Sequence, residues 1–359
     1  MNKWIFILSF ITSGCSMMSY LTEQGIEQAK LQWNGRKNEE FLADPNVTPE
    51  MKNKVILVEE YKKFFFHYFD KKPTNIYTKT TMLSSNAVTY LVIASSHTKI
   101  EPHDFDFPFM GSFPYIGFFQ KESAEEFAKD LSQDDNLVTY IRPVYAYSTL
   151  GYFEDRILSS FFQYDDVELA ELVFHELFHT VFFIKDEVDL NENLANLFGK
   201  ELLREYFKGK EELQDYLTVE KKKDLLSKRV VELIGILQSE FLKLGGFVTD
   251  AKADQLTSRF VREVFLPDMK AYCQTLELPL KECEIKEDWN QAAFAAFLTY
   301  EEEQDFLQKL RTQLDFDLKK FLQWLNIEYG LFKEKTKFES FTDHLKSKLK
   351  VPDASAPSH

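Results

Sequence analysis

The chain has 359 residues, 44% of them apolar, with 35 Phe and a formal net charge of −15. A chain of this length and apolar content can bury a large core, enough for one catalytic unit with a helical extension. The acidic balance, with no basic cluster among interleaved aromatic residues, argues against a nucleic-acid partner.

Residues 1–14 read as a targeting signal rather than as part of the fold. Lys3 supplies the positive start, positions 4–11 a short apolar run, and Thr12-Ser13-Gly14 the small residues ahead of Cys15. This resembles a bacterial lipobox, with Thr12 where Leu is usual, and implies cleavage before Cys15 and its lipidation. An ordinary secretory signal with an incidental cysteine is the alternative. Two or more acyl chains hold a protein stably at a membrane, so the mature chain is expected to be tethered there. No later stretch is apolar for long enough to span a bilayer.

Up to about residue 37 the pattern is helical. Pro49 then opens a helix expected to run to Tyr68, with Val55, Leu57, Val58, Tyr61, Phe65 and Tyr68 on its apolar face. Residues 87–95, 114–119 and 136–148 read as strands, and Pro143 puts the last at an edge or a bulge. Between the second and third, Ser123 and Glu126 read as a capping box opening a helix. From Asp155 onward nearly everything reads as helix. Breaks are expected at Gly199, Gly209, Gly245-Gly246 and Pro267, and a disordered tail from Val351.

Within that helical part, His175-Glu176-Leu177-Phe178-His179 has the spacing of a metal site. Positions four apart on an α-helix share one face, about 6 Å apart along the axis, so both imidazoles can reach one ion. Zn²⁺ takes three protein ligands and leaves a fourth position open, and a carboxylate beside it can take a proton from attacking water. Glu176 is the expected general base. The surrounding Leu172, Val173, Phe174, Leu177, Phe178, Thr180 and Val181 are uncharged, so charge near the ion is expected from the motif alone. Glu192, in Asn191-Glu192-Asn193-Leu194-Ala195, is a plausible third ligand. It also reads as the third position of a capping box opened by Asp189, which does not exclude ligation.

Other candidates carry weaker signals. An oxyanion donor is needed for amide hydrolysis, and Tyr147 or Tyr300 could provide it, although with 16 Tyr in the chain each reads more readily as a structural tyrosine. Ser148 lacks the glycine arrangement of a nucleophile elbow. Asp186, Asp189 and Asn196 are candidates for orienting a ligand imidazole. His67, His97, His103 and His344 have no ligand-spaced partners. With Cys15 used by lipid, Cys273 and Cys283 remain, and export to an oxidising compartment makes a disulfide between them the expected outcome.

The run from Ala146-Tyr147-Ser148-Thr149-Leu150-Gly151 to Asp155, followed by the His-Glu-x-x-His and Asn-Glu-x-x-Ala segments, resembles a family of bacterial lipoproteins described as predicted aminopeptidases, zinc metallopeptidases of the gluzincin kind. The resemblance extends from Gly14-Cys15 through Phe107-Pro108-Phe109-Met110-Gly111 and Tyr115-Ile116-Gly117-Phe118-Phe119 to Asn290-Gln291-Ala292 and Tyr300, and is loose in the last third. It implies His175, His179 and Glu192 as ligands and Glu176 as the catalytic residue. The chain departs from the family's usual Arg at Ile116, Pro at Arg156, Ala at Phe178 and Asn at Gln291. Loss of that Arg leaves the specificity open.

The expected fold is α+β, mainly α-helical, with a zincin-like core, a small sheet and a helical C-terminal region. The expected divisions are a signal at 1–14, a tether helix at 15–45, a catalytic region at 46–208, a helical region completing the cleft at 209–350 and a tail at 351–359. The expected activity is zinc-dependent cleavage of a peptide substrate, of the aminopeptidase kind, with an endopeptidase or other amide hydrolase left open. The resemblance favours the periplasmic side of the envelope, and Ser16 after Cys15 leans towards the outer membrane. A different class is also open: a noncatalytic envelope lipoprotein that uses metal for structure and binds a partner protein. Nothing in the residues sets the oligomeric state.

Overall fold

The computed structural model describes residues 20–349 except 21, 28, 32, 86, 108–110, 146–154, 186, 246–247, 284, 286, 300–303 and 335–337. Strand β1 (Arg36–Lys37) and helix α1 (Asn38–Ala43) lead into α2 (Pro49–Tyr68). Thr48 Oγ1 accepts the Met51 N–H at 3.3 Å, and Pro49 occupies the first turn, where its missing N–H leaves nothing unsatisfied. Val55, Val58, Tyr61 and Phe65 recur at helical spacing and are buried together with Phe66. Leu57 and Tyr68 are only partly covered.

Strands β2 (Lys79–Thr81), β3 (Thr89–Ser95), β4 (Phe105–Phe107), β5 (Gly111–Phe113) and β6 (Ile116–Phe118) follow, then α3 (Lys121–Gln133), β7 (Val138–Val144) and β8 (Ile157–Leu158). Among the described residues they form an antiparallel sheet β6-β3-β7, a sheet β1-β2-β8 whose β2 and β8 run parallel, and the antiparallel pair β4-β5. The rest is helical: α4 (Asp166–His179), α5 (Val188–Tyr206), α6 (Glu211–Leu244), α7 (Asp250–Phe260), α8 (Leu266–Leu276), α9 (Gln291–Thr299), α10 (Gln304–Leu314), α11 (Leu318–Glu334) and α12 (Phe341–Lys346). One apolar cluster joins α2, α4, α5 and the last three helices. A second joins α6 to α9, and a third lies between the β6-β3-β7 sheet and α3. No helix among the described residues is long and apolar enough to cross a membrane.

Pro143 sits in β7, an outer strand of its sheet. Val88 N–H donates to Val144 O at 2.8 Å, so by alternation the Pro143 nitrogen faces away from that ladder, where a donor is not required. Other sequence expectations need correction. Helix α3 starts at Lys121 with Gln120 at its N-cap and no side-chain cap. Ser123 therefore lies inside the first turn and donates to Glu23 Oε2 at 3.1 Å instead of forming a box with Glu126. The chain after Asp155 is not yet helical, because β8 pairs with Thr80 and Thr81 and a 3-10 turn (Ser159–Gln163) precedes α4. Pro267 does not interrupt the helical path either. A π turn (Val261–Phe265) links α7 to α8, and the wider turn accommodates a residue that cannot donate to the preceding turn. Gly209 and Gly245, at φ 81° and 72°, do mark the ends between which α6 runs.

Cys273 is disulfide-bonded to Cys283, with Cα atoms 6.1 Å apart. Replacing both by Ser is expected to lower Tm by the equivalent of somewhat under about 3 kcal/mol while metal content stays the same. Calorimetry paired with elemental analysis reads both quantities, and an unchanged Tm would remove the bridge's stabilising role.

Candidate metal centre

Helix α4 is fixed at both ends. The Asp165 carboxylate accepts the N–H groups of Val167 (3.0 Å) and Glu168 (2.9 Å), while Glu168 Oε2 accepts the Asp165 N–H (3.2 Å), a reciprocal capping box. At the other end the Thr180 hydroxyl donates to Leu177 O at 2.7 Å. Between these ends Leu169, Ala170, Val173, Phe174, Leu177 and Phe178 are all buried. Phe178 stacks on Phe198 of α5 at 4.3 Å.

Gly199, an expected helix break, lies inside α5 instead. A Cβ there would stand 3.2 Å from His175 N and 3.3 Å from Glu171 O. The missing side chain is what lets α5 cross α4 backbone to backbone beside the first histidine. The turn between the helices is held by buried Asn191, whose Oδ1 accepts the Ile184 N–H (2.9 Å) and whose Nδ2 donates to Ile184 O (2.7 Å). That staple sets the rotation with which α5 begins, and so the direction of Glu192. The N-cap is Glu187 rather than Asp189, and no side chain caps the helix there. The capping-box reading of Glu192 therefore fails. The Glu187 carboxylate instead accepts the Phe341 N–H, the Thr342 N–H (3.0 Å) and the Thr342 hydroxyl (2.6 Å), tying the start of α5 to α12.

Glu192 turns to the two histidines. His175 Nε2 and His179 Nε2 are 3.3 Å apart, His175 Nε2 is 3.3 Å from Glu192 Oε2, and His179 Nε2 is 3.4 Å from Glu192 Oε1. Donors about 2.0–2.1 Å from the centre of a tetrahedron are separated by roughly 3.3–3.4 Å, so these three groups already have the spacing of one tetrahedral face around a zinc-sized ion. The donor set, two imidazoles and one carboxylate, also suits zinc. His175 Nδ1 lies 2.9 Å from Asn196 Oδ1. An amide oxygen only accepts, so Nδ1 carries the proton and Nε2 presents its lone pair to the triangle.

Electrostatics prepare the same groups. Burial pulls the pKa of His179 down to about 4, keeping it neutral at pH 7 as a ligand must be. Its Nδ1 is buried and meets no hydrogen-bond partner among the described residues. Burial works against charge on His175 too, but its contact with Glu192 and the charge of Glu176 hold its pKa above the ordinary value. Burial would raise Glu192, yet the His175 contact and the two imidazole charges keep it below the usual carboxylate range. Glu176, 6% exposed, is pushed up to about 7 by burial, with Glu192 and Asp155 adding to the rise and His175 opposing it.

Charge near the site does not come from the motif alone, contrary to the sequence reading. Glu171, one turn ahead of His175, accepts the Tyr216 hydroxyl, and burial raises its pKa. Lys200 lies close enough to act on Glu171 and pairs with Glu220 at 2.9 Å. Asp155 is buried, near Glu176. The i, i+4 relation of Glu171 to His175 is a signal that was readable; Asn191's staple was not, because its partner lies in a loop.

Of the residues singled out from sequence, the fold thus brings His175, Glu176, His179, Glu192 and Asn196 together. His97 pairs with Asp254 (2.8 Å) and His344 with Glu328 (2.8 Å), as ordinary structural histidines do. Gln291 donates to His97 O (2.7 Å) and Asp254 Oδ1 (3.0 Å). Tyr147, Ser148, Tyr300, Asp186 and Cys15 lie outside the described residues.

A mainly helical α+β fold presenting two histidines and a glutamate that could hold one metal ion defines a candidate metalloprotein. A family model with the description "Putative aminopeptidase" matches residues 19–337, and the chain belongs to that aminopeptidase family. No curated protein and no solved structure matches it.

Proposed function

We propose that the protein is a zinc-dependent aminopeptidase with a zincin-like core, using His175, His179 and Glu192 as metal ligands. The observation that carries this reading is the donor triangle of zinc dimensions with a buried carboxylate, Glu176, next to it in the same helix. A purely structural site has no use for such a carboxylate. Zinc held there supplies Lewis-acid polarisation of the scissile carbonyl and acidifies water. Glu176 takes the proton from the attacking water and passes it to the departing amine, a task suited to a group whose pKa lies near neutrality. Asn196 keeps the His175 ring in the ligating tautomer. Tyr147 and Tyr300 are the proposed oxyanion donors.

Purified mature protein should be offered a mixed peptide library, with and without chelator, and the cleavage positions read by mass spectrometry. Removal of single N-terminal residues, lost with chelator and restored by zinc, is the expected result. Zinc-dependent internal cuts would replace the aminopeptidase reading with an endopeptidase. No zinc-dependent cleavage at all would overturn the enzyme assignment.

We further propose that lipid on Cys15 holds the enzyme on the periplasmic face of the envelope, at the outer membrane. Cys15→Ser is expected to take up no labelled fatty acid and to remain unprocessed or mislocalised. Wild-type protein recovered soluble and unacylated would defeat the anchor while leaving the chemistry untouched.

A further inference from the structure

A helical segment ahead of β1 takes in residues 20, 22–27, 29–31 and 33. Its inner side is docked on the domain. The Tyr20 hydroxyl donates to Gly117 O at 2.8 Å, and its ring meets Phe118 edge-on at 5.2 Å. Glu23 Oε2 accepts the Ser123 hydroxyl at 3.1 Å, and Leu31 O accepts the Thr81 hydroxyl at 3.3 Å. These contacts to β6, α3 and β2 fix which side of the segment turns outward.

Ile26 and Trp33 lie on that outer side, 50% and 84% exposed. Seven positions fall about 20° short of two full turns, so both side chains project from one face, with exposed Thr22 about 40° around the axis from Ile26. Lys30 borders the face and pairs with Glu27 at 2.6 Å on its flank. Among the described residues this face carries no carboxylate, although the chain has 58 Asp and Glu and a net charge of −15. Single exposed aliphatic residues are ordinary, but an indole almost wholly in water leaves a large apolar ring unburied.

The place of this face in the chain says what covers it. Tyr20 follows Cys15 by five positions, a span of at most about 18 Å, and the helix from Tyr20 to Trp33 is about 20 Å long. Lipid on Cys15 therefore keeps the whole face within reach of the bilayer surface. So short a tether makes the contact effectively intramolecular, and two apolar side chains that would bind a membrane weakly by themselves then suffice. An anionic phospholipid surface repels the acidic remainder of the domain and admits a face without carboxylates. Indole settles at the boundary between headgroups and acyl chains, where its ring is buried and its N–H stays wet.

We propose that the face bearing Ile26 and Trp33 rests on the phospholipid surface, with the Trp33 ring at headgroup level, and gives the domain one orientation on the membrane. The contact rests on the Cys15 anchor proposed above and adds a noncovalent attachment to it.

The test uses the full-length mature protein extracted from membranes and reconstituted into phosphatidylethanolamine and phosphatidylglycerol vesicles whose acyl chains are brominated near the headgroup. On the same sample, mass spectrometry reads the lipid on Cys15 and flotation reads vesicle attachment. Brominated lipid is expected to quench part of the tryptophan emission, and Trp33→Phe should remove that quench. Ile26→Glu sets a carboxylate on the face and should reduce the quench while acylation and flotation persist. Both positions are exposed, so unchanged melting is expected in each variant. Acylated, floating protein with no Trp33-dependent quench would overturn the surface contact and leave the anchor standing. Trp33 shielded from acrylamide without any lipid would also overturn it, by showing that a second copy covers the face. Unacylated protein that does not float would overturn the anchor, and this contact with it.

Discussion

In Glu176→Gln, peptide hydrolysis is expected to fall by roughly 100- to 10,000-fold while zinc content is unchanged, the range that general acid–base catalysis contributes. The substitution is close to isosteric, so the packing around a nearly buried side chain is kept and only the ability to accept a proton is lost. A stability readout separates this from misfolding. Burial raises the Glu176 pKa from 4.5 to about 7, so in metal-free protein the folded state holds a proton that the unfolded chain has released between those values. Wild-type stability therefore declines as pH rises through that window, whereas Gln has no such dependence. Metal-free Glu176→Gln should thus gain in relative stability from pH 4.5 to 7. Zinc beside the carboxylate favours its charged form and should diminish the difference. Turnover measured against elemental analysis decides the role, and a fully active Glu176→Gln enzyme would require another base.

The second large effect is loss of metal. His175→Ala and His179→Ala should each strip the zinc and abolish hydrolysis, and chelation of the wild type should do the same reversibly. The two variants should differ in stability. His175→Ala also removes the partner of Asn196 Oδ1, adding an unsatisfied acceptor to the lost imidazole volume. Among the described residues His179 Nδ1 has no partner to lose, so its truncation leaves mainly a cavity. Asn196→Ala should retain zinc with affinity weakened by about 10- to 100-fold, as expected for a group that only orients a ligand. Elemental analysis showing full zinc in His175→Ala would falsify the ligand assignment.

What the sequence alone determined is local. The four-residue spacing of His175 and His179 places both rings on one face of any α-helix they form, because the helix period is a property of the backbone and needs no tertiary partner. The Pro49 helix start, the apolar face of α2 and the edge position of Pro143 have the same origin, in constraints carried by a few neighbouring residues. Tertiary structure decided everything that depends on distant segments meeting. Glu192 could cap a helix or face the histidines, and the Asn191 staple to Ile184 together with the close crossing at Gly199 turned it to the two histidines. Gly199 itself carries the same sequence signal as a helix terminator, since both uses need only the absence of a Cβ. Strands β1, β2 and β8 are too short to show a period and exist through pairing with each other. The carboxylates around the site, half-buried Glu171 and buried Asp155, acquired their environment only when α4 was enclosed, because desolvation belongs to the packed interior and not to the residue.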